Sequence, residues 1–434
     1  MHLPDEILCL IAHQLDTQHD RFNLTRACRR FYHALLPILY SDVTFHFHSE
    51  AKLVVSFLQS VVRTSELALA VRSLELYPWK TPRSTVFDPD DELEYDETLV
   101  DGLLDQADIP SKEREAWDVC ITTGVTDAWL ALLLPQLRNL EKISICWPYG
   151  ATYVPRVLAK AAQNPTSTFP HLKEAYARWY DTENGLDSSQ LNPFFAFPSM
   201  RKLCGFSICE DDGSDADEAL IPYSGVPYSG ITEIDLGSSN DTNGMVDWLR
   251  RCKGLKSFRI IHGGALVSFE DFAPNNTLRS LELHKATLEN IWMDDDDDES
   301  SDDYDFAGSF VDFTALKHLY LRLQNLLNVD NEASTRCLKD LLPPSLETLF
   351  IKYSRAESTI NQLEDLVSSR RLPKLARIDL EGFYSRQVDV RPMIDRLRAV
   401  CEEVGVSFAF WDTRDEETFD YMNSLWPFPA FPEV

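Results

Sequence analysis

The sequence predicts an α/β chain in which a small helical unit, residues 1–45, precedes an irregular solenoid of strand–helix repeats on a parallel sheet, residues 46–425. Three observations lead there. Apolar residues at helical spacing fill the first segment. A phrase with apolar residues at its first, fourth and sixth positions then recurs along the chain. Helix-patterned segments separate successive phrases, so each unit offers one strand and one outer segment.

The helical unit opens with Leu3-Pro-Asp-Glu-Ile7. Pro4 suits a first helical turn, where its missing N–H costs nothing, and Asp5 and Glu6 favour the positive end of the helix dipole. Ile7, Leu8, Ile11 and Leu15 share one face, and Leu10 and Ala12 widen the apolar arc to roughly 200°. Asp20 reads as the N-cap of a second helix, along which Leu24, Ala27, Cys28, Phe31 and Leu35 recur until Pro37 ends it. Arg26, Arg29 and Arg30 take the other face. Helices this small bury too little surface to be stable alone, so the surplus apolar surface must lean on the rest of the chain or on another protein.

The recurring phrase is clearest at Leu278-Arg-Ser-Leu281-Glu-Leu283, Leu316-Lys-His-Leu319-Tyr-Leu321, Leu346-Glu-Thr-Leu349-Phe-Ile351 and Leu375-Ala-Arg-Ile378-Asp-Leu380. Weaker copies start at Val71, Leu140, Leu172, Met200, Ile231 and Leu255, and from Leu140 the starts lie 23 to 38 residues apart. Helices are expected at Thr126–Leu137, Tyr153–Ala162, Gly244–Arg251, Ser334–Leu342, Thr359–Ser369 and Arg391–Val404, several begun by Thr, Ser or Asp. Each unit is amphipathic and cannot bury its apolar face alone, whereas stacked strands share one core. Ordinary strand–helix alternation in an α/β domain is the competing reading, and the near-constant spacing favours repeats.

Taken in order, Leu3-Pro-Asp-Glu-Ile7, Ile11, Leu15, the run Leu24-Thr-Arg-Ala-Cys28-Arg-Arg-Phe31-Tyr-His-Ala-Leu35, and Leu39-Tyr40 resemble an F-box. The phrases resemble leucine-rich repeats. The Asn or Cys expected three residues after each phrase is replaced by Ala286, Gln324, Ser354 and Phe383, which implies an irregular array. The resemblance implies a non-catalytic substrate receptor of an SCF-type cullin ubiquitin ligase. Its helices would dock a Skp-type adaptor and its repeats would hold a protein substrate. Carried over by motif, Leu3, Pro4, Ile7, Leu8, Ile11 and Leu15 would supply the docking face, while Leu24, Cys28, Phe31 and Leu35 would pack the small core and partly face the adaptor. A repeat scaffold working outside ubiquitination is the alternative, and an acidic binder of basic proteins is a third.

Composition narrows the partners. The 41 Lys and Arg stand against 70 Asp and Glu, a formal charge of −29 that repels phosphate backbones and anionic lipid. Neither nucleic acid nor membrane is expected as a ligand, and an acidic strand face would suit a basic substrate. Two acid-rich insertions, about 86–118 and 293–306, read as mobile loops because like charges resist packing. Ser300 and Ser301 resemble acidic-directed kinase sites, and the tail 426–434 reads as a hydrophobic lid. Nine scattered Cys with no CxxC pair suggest reduced, mostly buried thiols and a cytoplasmic or nuclear setting. No phosphate-binding glycine loop or nucleophile elbow occurs, His46 and His48 lack a third metal ligand, and His262-Gly-Gly264 reads as a turn. No enzyme, metal or cofactor is expected.

Overall fold

The computed structural model describes residues 3–15, 17–46, 51–84, 93–107, 109–210, 229–263, 272–295, 306–327, 337–352, 357–382 and 391–412. The chain divides into two compact units, Met1–Ile231 with Arg251–Lys253, and Thr232–Arg250 with Gly254–Val434.

The first unit begins with three helices, α1 (Asp5–His13), α2 (Gln18–Thr25) and α3 (Arg29–Leu39). The single helix expected from Asp20 is two helices, broken at Arg26–Cys28. Thr17, not Asp20, caps α2, its hydroxyl accepting the Asp20 N–H at 3.1 Å. Pro37 lies inside α3 instead of ending it. Strand β1 (Asp42–Phe45) follows, then α4 (Ala51–Arg63), α5 (Ser65–Ala70) and β2 (Ser73–Leu76). Three helices come next, α6 (Glu97–Gln106), α7 (Ser111–Thr122) and α8 (Thr126–Leu133), and then β3 (Lys142–Trp147). After α9 (Tyr153–Gln163), α10 (Pro165–Thr168) and β4 (Glu174–Trp179) come β5 (Leu186–Asp187), β6 (Lys202–Phe206) and β7 (Ile208–Cys209).

Strands β1, β2, β3, β4 and β6 pair in that order, all parallel, while β5 pairs with β7. Register aligns Leu74, Ile143, Ala175 and Leu203 across the sheet, all fully buried. These are the fourth phrase positions, which face the core as the period of two requires.

Part of the first acidic insertion is therefore ordered helix. Asp96 caps α6 by accepting the Leu99 N–H, and Val100, Leu103, Leu104 and Trp117 are buried. The acids of α6 and α7 converge on one cation: Arg114 meets Asp101 at 2.9 Å, Asp105 at 2.9 Å and Asp118 at 3.2 Å. Opposite charge placed among these three acids offsets their mutual repulsion, while residues 86–92 of the insertion lie outside the described residues. Further on, the buried Asp127 accepts the N–H groups of Thr152, Tyr153 and Val154 at 2.6, 2.8 and 3.2 Å and the Trp79 indole N–H at 3.0 Å. It thus satisfies the start of α9 from a neighbouring helix. Burial raises its pKa, although these donors pull the other way.

The second unit carries β8 (Glu233–Ser239), β9 (Ser257–His262), β10 (Asn290–Asp295), β11 (His318–Arg322), β12 (Thr348–Lys352), β13 (Arg377–Gly382) and β14 (Ser407–Asp412), parallel and in sequence order. Its helices are α11 (Val246–Arg251), α12 (Pro274–Leu281), α13 (Leu323–Leu326), α14 (Leu338–Leu341), α15 (Glu357–Ser369) and α16 (Arg391–Val404). Two rows fill its core: Ile234, Phe258, Ile291, Leu319, Leu349 and Ile378, then Leu236, Ile260, Met293, Leu321, Ile351 and Leu380.

One repeat is displaced from its expected place. The phrase at Leu278–Leu283 is not a strand: Pro274 opens α12, and Leu278 and Leu281 sit three apart on its buried face, with Leu283 exposed. An apolar pair at i and i+3 serves a helix as well as a repeat phrase. The strand of this unit is β10, which carries Ile291 and Met293 inward, with Leu288 buried just ahead of it. It also takes in Asp294 and Asp295, which the charge pattern assigns to a loop. Among the nine cysteines, all free, four are buried and Cys28 is exposed, fewer buried than expected. Among the described residues no single helix is long and apolar enough to cross a membrane.

Candidate functional site

The apolar arc of α1 splits into two faces. Leu8 and Ala12 are buried with Leu35 and Ile38, and the half-buried Cys9, Leu24, Phe31 and Ala34 pack against them. About 130° away on the helix wheel, Ile7, Leu10 and Ile11 are 40%, 60% and 42% exposed, and Leu3 is 46% exposed. Pro4 is exposed beside them and Leu15 is half-buried.

Leu8 therefore belongs to the small core and not to the free face. Leu10, absent from the set carried over by motif, is the most exposed apolar residue of the strip. Its outward position follows from helix phase once Leu8 and Ala12 are known to face inward. Cys28 is exposed at the start of α3, outside the core where the motif set places it, because the chain breaks out of helix there.

Hydrogen bonds tie the strip to the rest of the helical unit. The Arg30 guanidinium donates to Asp5 at 2.8 Å and to the Leu3 carbonyl, tying the start of α3 to the start of α1. The Cys9 thiol reaches the Ala34 carbonyl, and Arg21 donates to the Leu15 carbonyl. The helices also join the first strands directly. The Arg72 and Ser73 N–H groups donate to the Ser41 carbonyl at 2.8 and 2.9 Å, and Tyr77 N–H donates to Phe45 at 3.0 Å.

In each unit, taken by itself, the sheet face opposite the apolar rows is a further candidate surface. In the first unit three cross-strand rows occupy it. Asp42, Ser73, Lys142, Glu174 and Lys202 make the first, and Thr44, Glu75, Ser144, Tyr176 and Cys204 the second. Cys146, Arg178 and Phe206 lie on the third. Lys142 and Lys202 flank the Tyr176 ring at 4.5 and 5.6 Å.

In the second unit a row runs Asp235, Arg259, Trp292, Tyr320, Phe350 and Asp379. Trp292 stacks on Tyr320 at 3.6 Å and Tyr320 on Phe350 at 4.4 Å, with the Arg259 guanidinium 4.8 Å from the Trp292 ring. Beside it, the buried Asp294 accepts from Arg322 at 3.0 Å, Lys352 at 2.8 Å and the Tyr320 hydroxyl at 3.2 Å. Burial alone would raise the Asp294 pKa, but Lys352 and Arg322 outweigh it and hold it below the usual carboxylate value. Burial and that same carboxylate push Tyr320 well above its ordinary value, so its proton stays on the phenol.

Acids and bases are thus mixed on both strand faces. The expected acidic lining, and with it the argument for a basic substrate, does not hold; the chain's excess charge resides elsewhere. Among the described residues no group of three His, Cys, Asp or Glu side chains is placed to hold a metal ion. His46 is described; His48, Gly264, Ser300, Ser301 and the tail 426–434 lie outside the described residues. Side chains packed into rows on a sheet can bind a partner.

A family model described as a leucine-rich repeat domain matches residues 162–380, just over half of the chain. The chain belongs to the leucine-rich repeat family. A second model, described as F-box-like, matches residues 1–46, the three-helix unit with its exposed strip. This leucine-rich repeat protein therefore carries an F-box-like domain ahead of its repeats, an α/β architecture of the class its sequence predicts. Among solved structures, the leucine-rich repeat-containing protein LegL7 from Legionella pneumophila is similar at 12% identity, over 91% of this chain and 99% of that chain, with a TM-score of 0.35. No curated protein matches the chain.

Proposed function

We propose that the chain is the substrate-recognition subunit of an SCF-type cullin ubiquitin ligase, its F-box-like helices docking a Skp-type adaptor in the cytoplasm or nucleus. Its repeats would hold a protein substrate. The observation that carries this reading is the solvent-facing strip Leu3, Ile7, Leu10 and Ile11 on a helix whose other apolar half is already buried. A contiguous apolar strip left open on a packed helix marks a protein interface. The role is positional: holding a substrate close to a reactive partner raises its effective concentration without any chemistry in the receptor.

The test is co-purification of the full chain with a Skp-type adaptor. Covering three half-exposed aliphatic side chains contributes about 1 kcal/mol each, so Ile7→Ala/Leu10→Ala/Ile11→Ala weakens the complex by roughly 100-fold with thermal stability nearly unchanged. Leu3→Ala/Pro4→Ala acts in the same direction. Undiminished co-purification in both variants overturns the docking assignment.

A further inference from the structure

The outer end of the strand face in the first unit combines cations with aromatic rings. Register pairs Cys146 of β3 with Arg178 of β4, and Arg178 with Phe206 of β6. Tyr77 and His46 continue this row past the ends of β2 and β1, their rings 5.7 Å apart. The Arg178 guanidinium lies 5.5 Å from the Tyr77 ring centre. Two residues past the end of β3, the Tyr149 ring has the Arg83 guanidinium 5.7 Å from its centre and its hydroxyl accepts from Arg83 at 3.3 Å. Tyr149, Tyr180 and Phe206 are 58%, 43% and 39% exposed.

In the same unit Arg30, Arg63, Arg72, Arg114 and Arg156 each contact a carboxylate. Among the described residues no carboxylate lies within ion-pair reach of Arg178 or Arg83, although acids outnumber bases 70 to 41 in the sequence. The exposed Arg26, Arg29 and Arg138 of this unit also meet no carboxylate among the described residues, and Arg178 differs from them in being half-buried against aromatic rings. The row itself holds no acid. Arg178 reaches the Cys146 sulfur, but burial raises that thiol's pKa, so it stays neutral and does not compensate the charge. A half-buried guanidinium beside neutral groups has two donors ready for an anionic oxygen pair, and flanking rings exclude water and pack adjoining side chains.

We propose that this row, centred on Arg178 with Tyr77 and Phe206, binds an anionic side chain of a protein substrate, an acidic or phosphorylated residue next to an apolar one. The inference rests on the receptor reading and gives it a substrate chemistry opposite to the basic one that net charge suggests.

The test uses the purified full chain and fluorescein-labelled heptapeptide pools. Their central residue is Ser, Asp, phosphoserine or Lys, and their flanks are randomised among Ala, Leu, Phe and Gly. Fluorescence anisotropy should show the phosphoserine pool, with or without the Asp pool, binding about tenfold more tightly than Ser, and Lys most weakly. Binding of phosphoserine alone assigns a phosphorylated side chain; equal binding of Asp assigns anionic side chains in general. Arg178→Ala should abolish the preference, Arg178→Lys should retain part of it, and Phe206→Ala should weaken every pool while leaving their order unchanged. Equal binding of all pools by the unaltered chain, or a preference that survives Arg178→Ala, overturns the proposal. No adaptor is needed for this measurement, so failure of docking through α1 leaves its result readable on its own.

Discussion

Replacing Asp294 by Ala should cost the second unit about 3–5 kcal/mol. Asp294 is 4% exposed and takes three donors, from Arg322, Lys352 and Tyr320. Its removal leaves a 2%-exposed Arg322 and a largely buried Lys352 without the carboxylate that offsets their desolvation. Asp294→Asn keeps the shape and one acceptor, so its cost should be smaller, about 2 kcal/mol. Adding Lys352→Met to Asp294→Ala removes one stranded charge and should recover a part. Urea unfolding followed by tryptophan fluorescence is suited to this, since Trp292 lies two residues away on the same strand. A solvated loop acid would change stability by no more than about 0.5 kcal/mol. A midpoint for Asp294→Ala indistinguishable from the unaltered chain would therefore refute the buried ion cluster and return Asp294 to the acidic insertion.

Two further outcomes are expected. Asp127→Ala leaves three N–H groups at the start of α9 and the Trp79 indole without their acceptor and should destabilise the first unit by about 2–4 kcal/mol, read as a lower thermal midpoint; an unchanged midpoint would mean those N–H groups have other partners. The second unit should weaken in two acid steps. Burial lowers the pKa of His284, whose Nε2 faces the Leu249 carbonyl at 2.8 Å, so its contribution is complete above about 6.5 and lost as pH falls toward its depressed folded value. Asp294 is also depressed, so its contribution persists below that and disappears only under pH 3.8. A stability constant from pH 7 to pH 5 would contradict the first step.

The repeats were legible because their two apolar positions per strand carry a period that helices cannot imitate for long. Leu316–Leu321, Leu346–Ile351 and Leu375–Leu380 fall on β11, β12 and β13 with the expected residues inward. Leu278–Leu283 misled because leucines three apart fit a helix equally well, and the true strand was hidden by the acids that end it. Nothing in a run of aspartates marks the first as buried; that depends on Arg322 and Lys352, which arrive 28 and 58 residues later. The three-helix unit was recognisable by motif, but which half of the α1 arc faces solvent depends on where α3 lies. That no carboxylate among the described residues reaches Arg178 was likewise invisible, since ion pairing is decided by the fold and not by neighbours in sequence.

The hydrogen bonds from Arg72 and Ser73 to Ser41, and from Tyr77 to Phe45, make the three-helix unit the first turn of the sheet instead of a tethered bead. A partner that grips α1 accordingly grips the strands too, as a hand on a handle aims the blade. The direction in which Tyr77 and Arg178 face would then be set by the same docking event. Swapping this helical unit onto another repeat array would then transfer binding while losing aim.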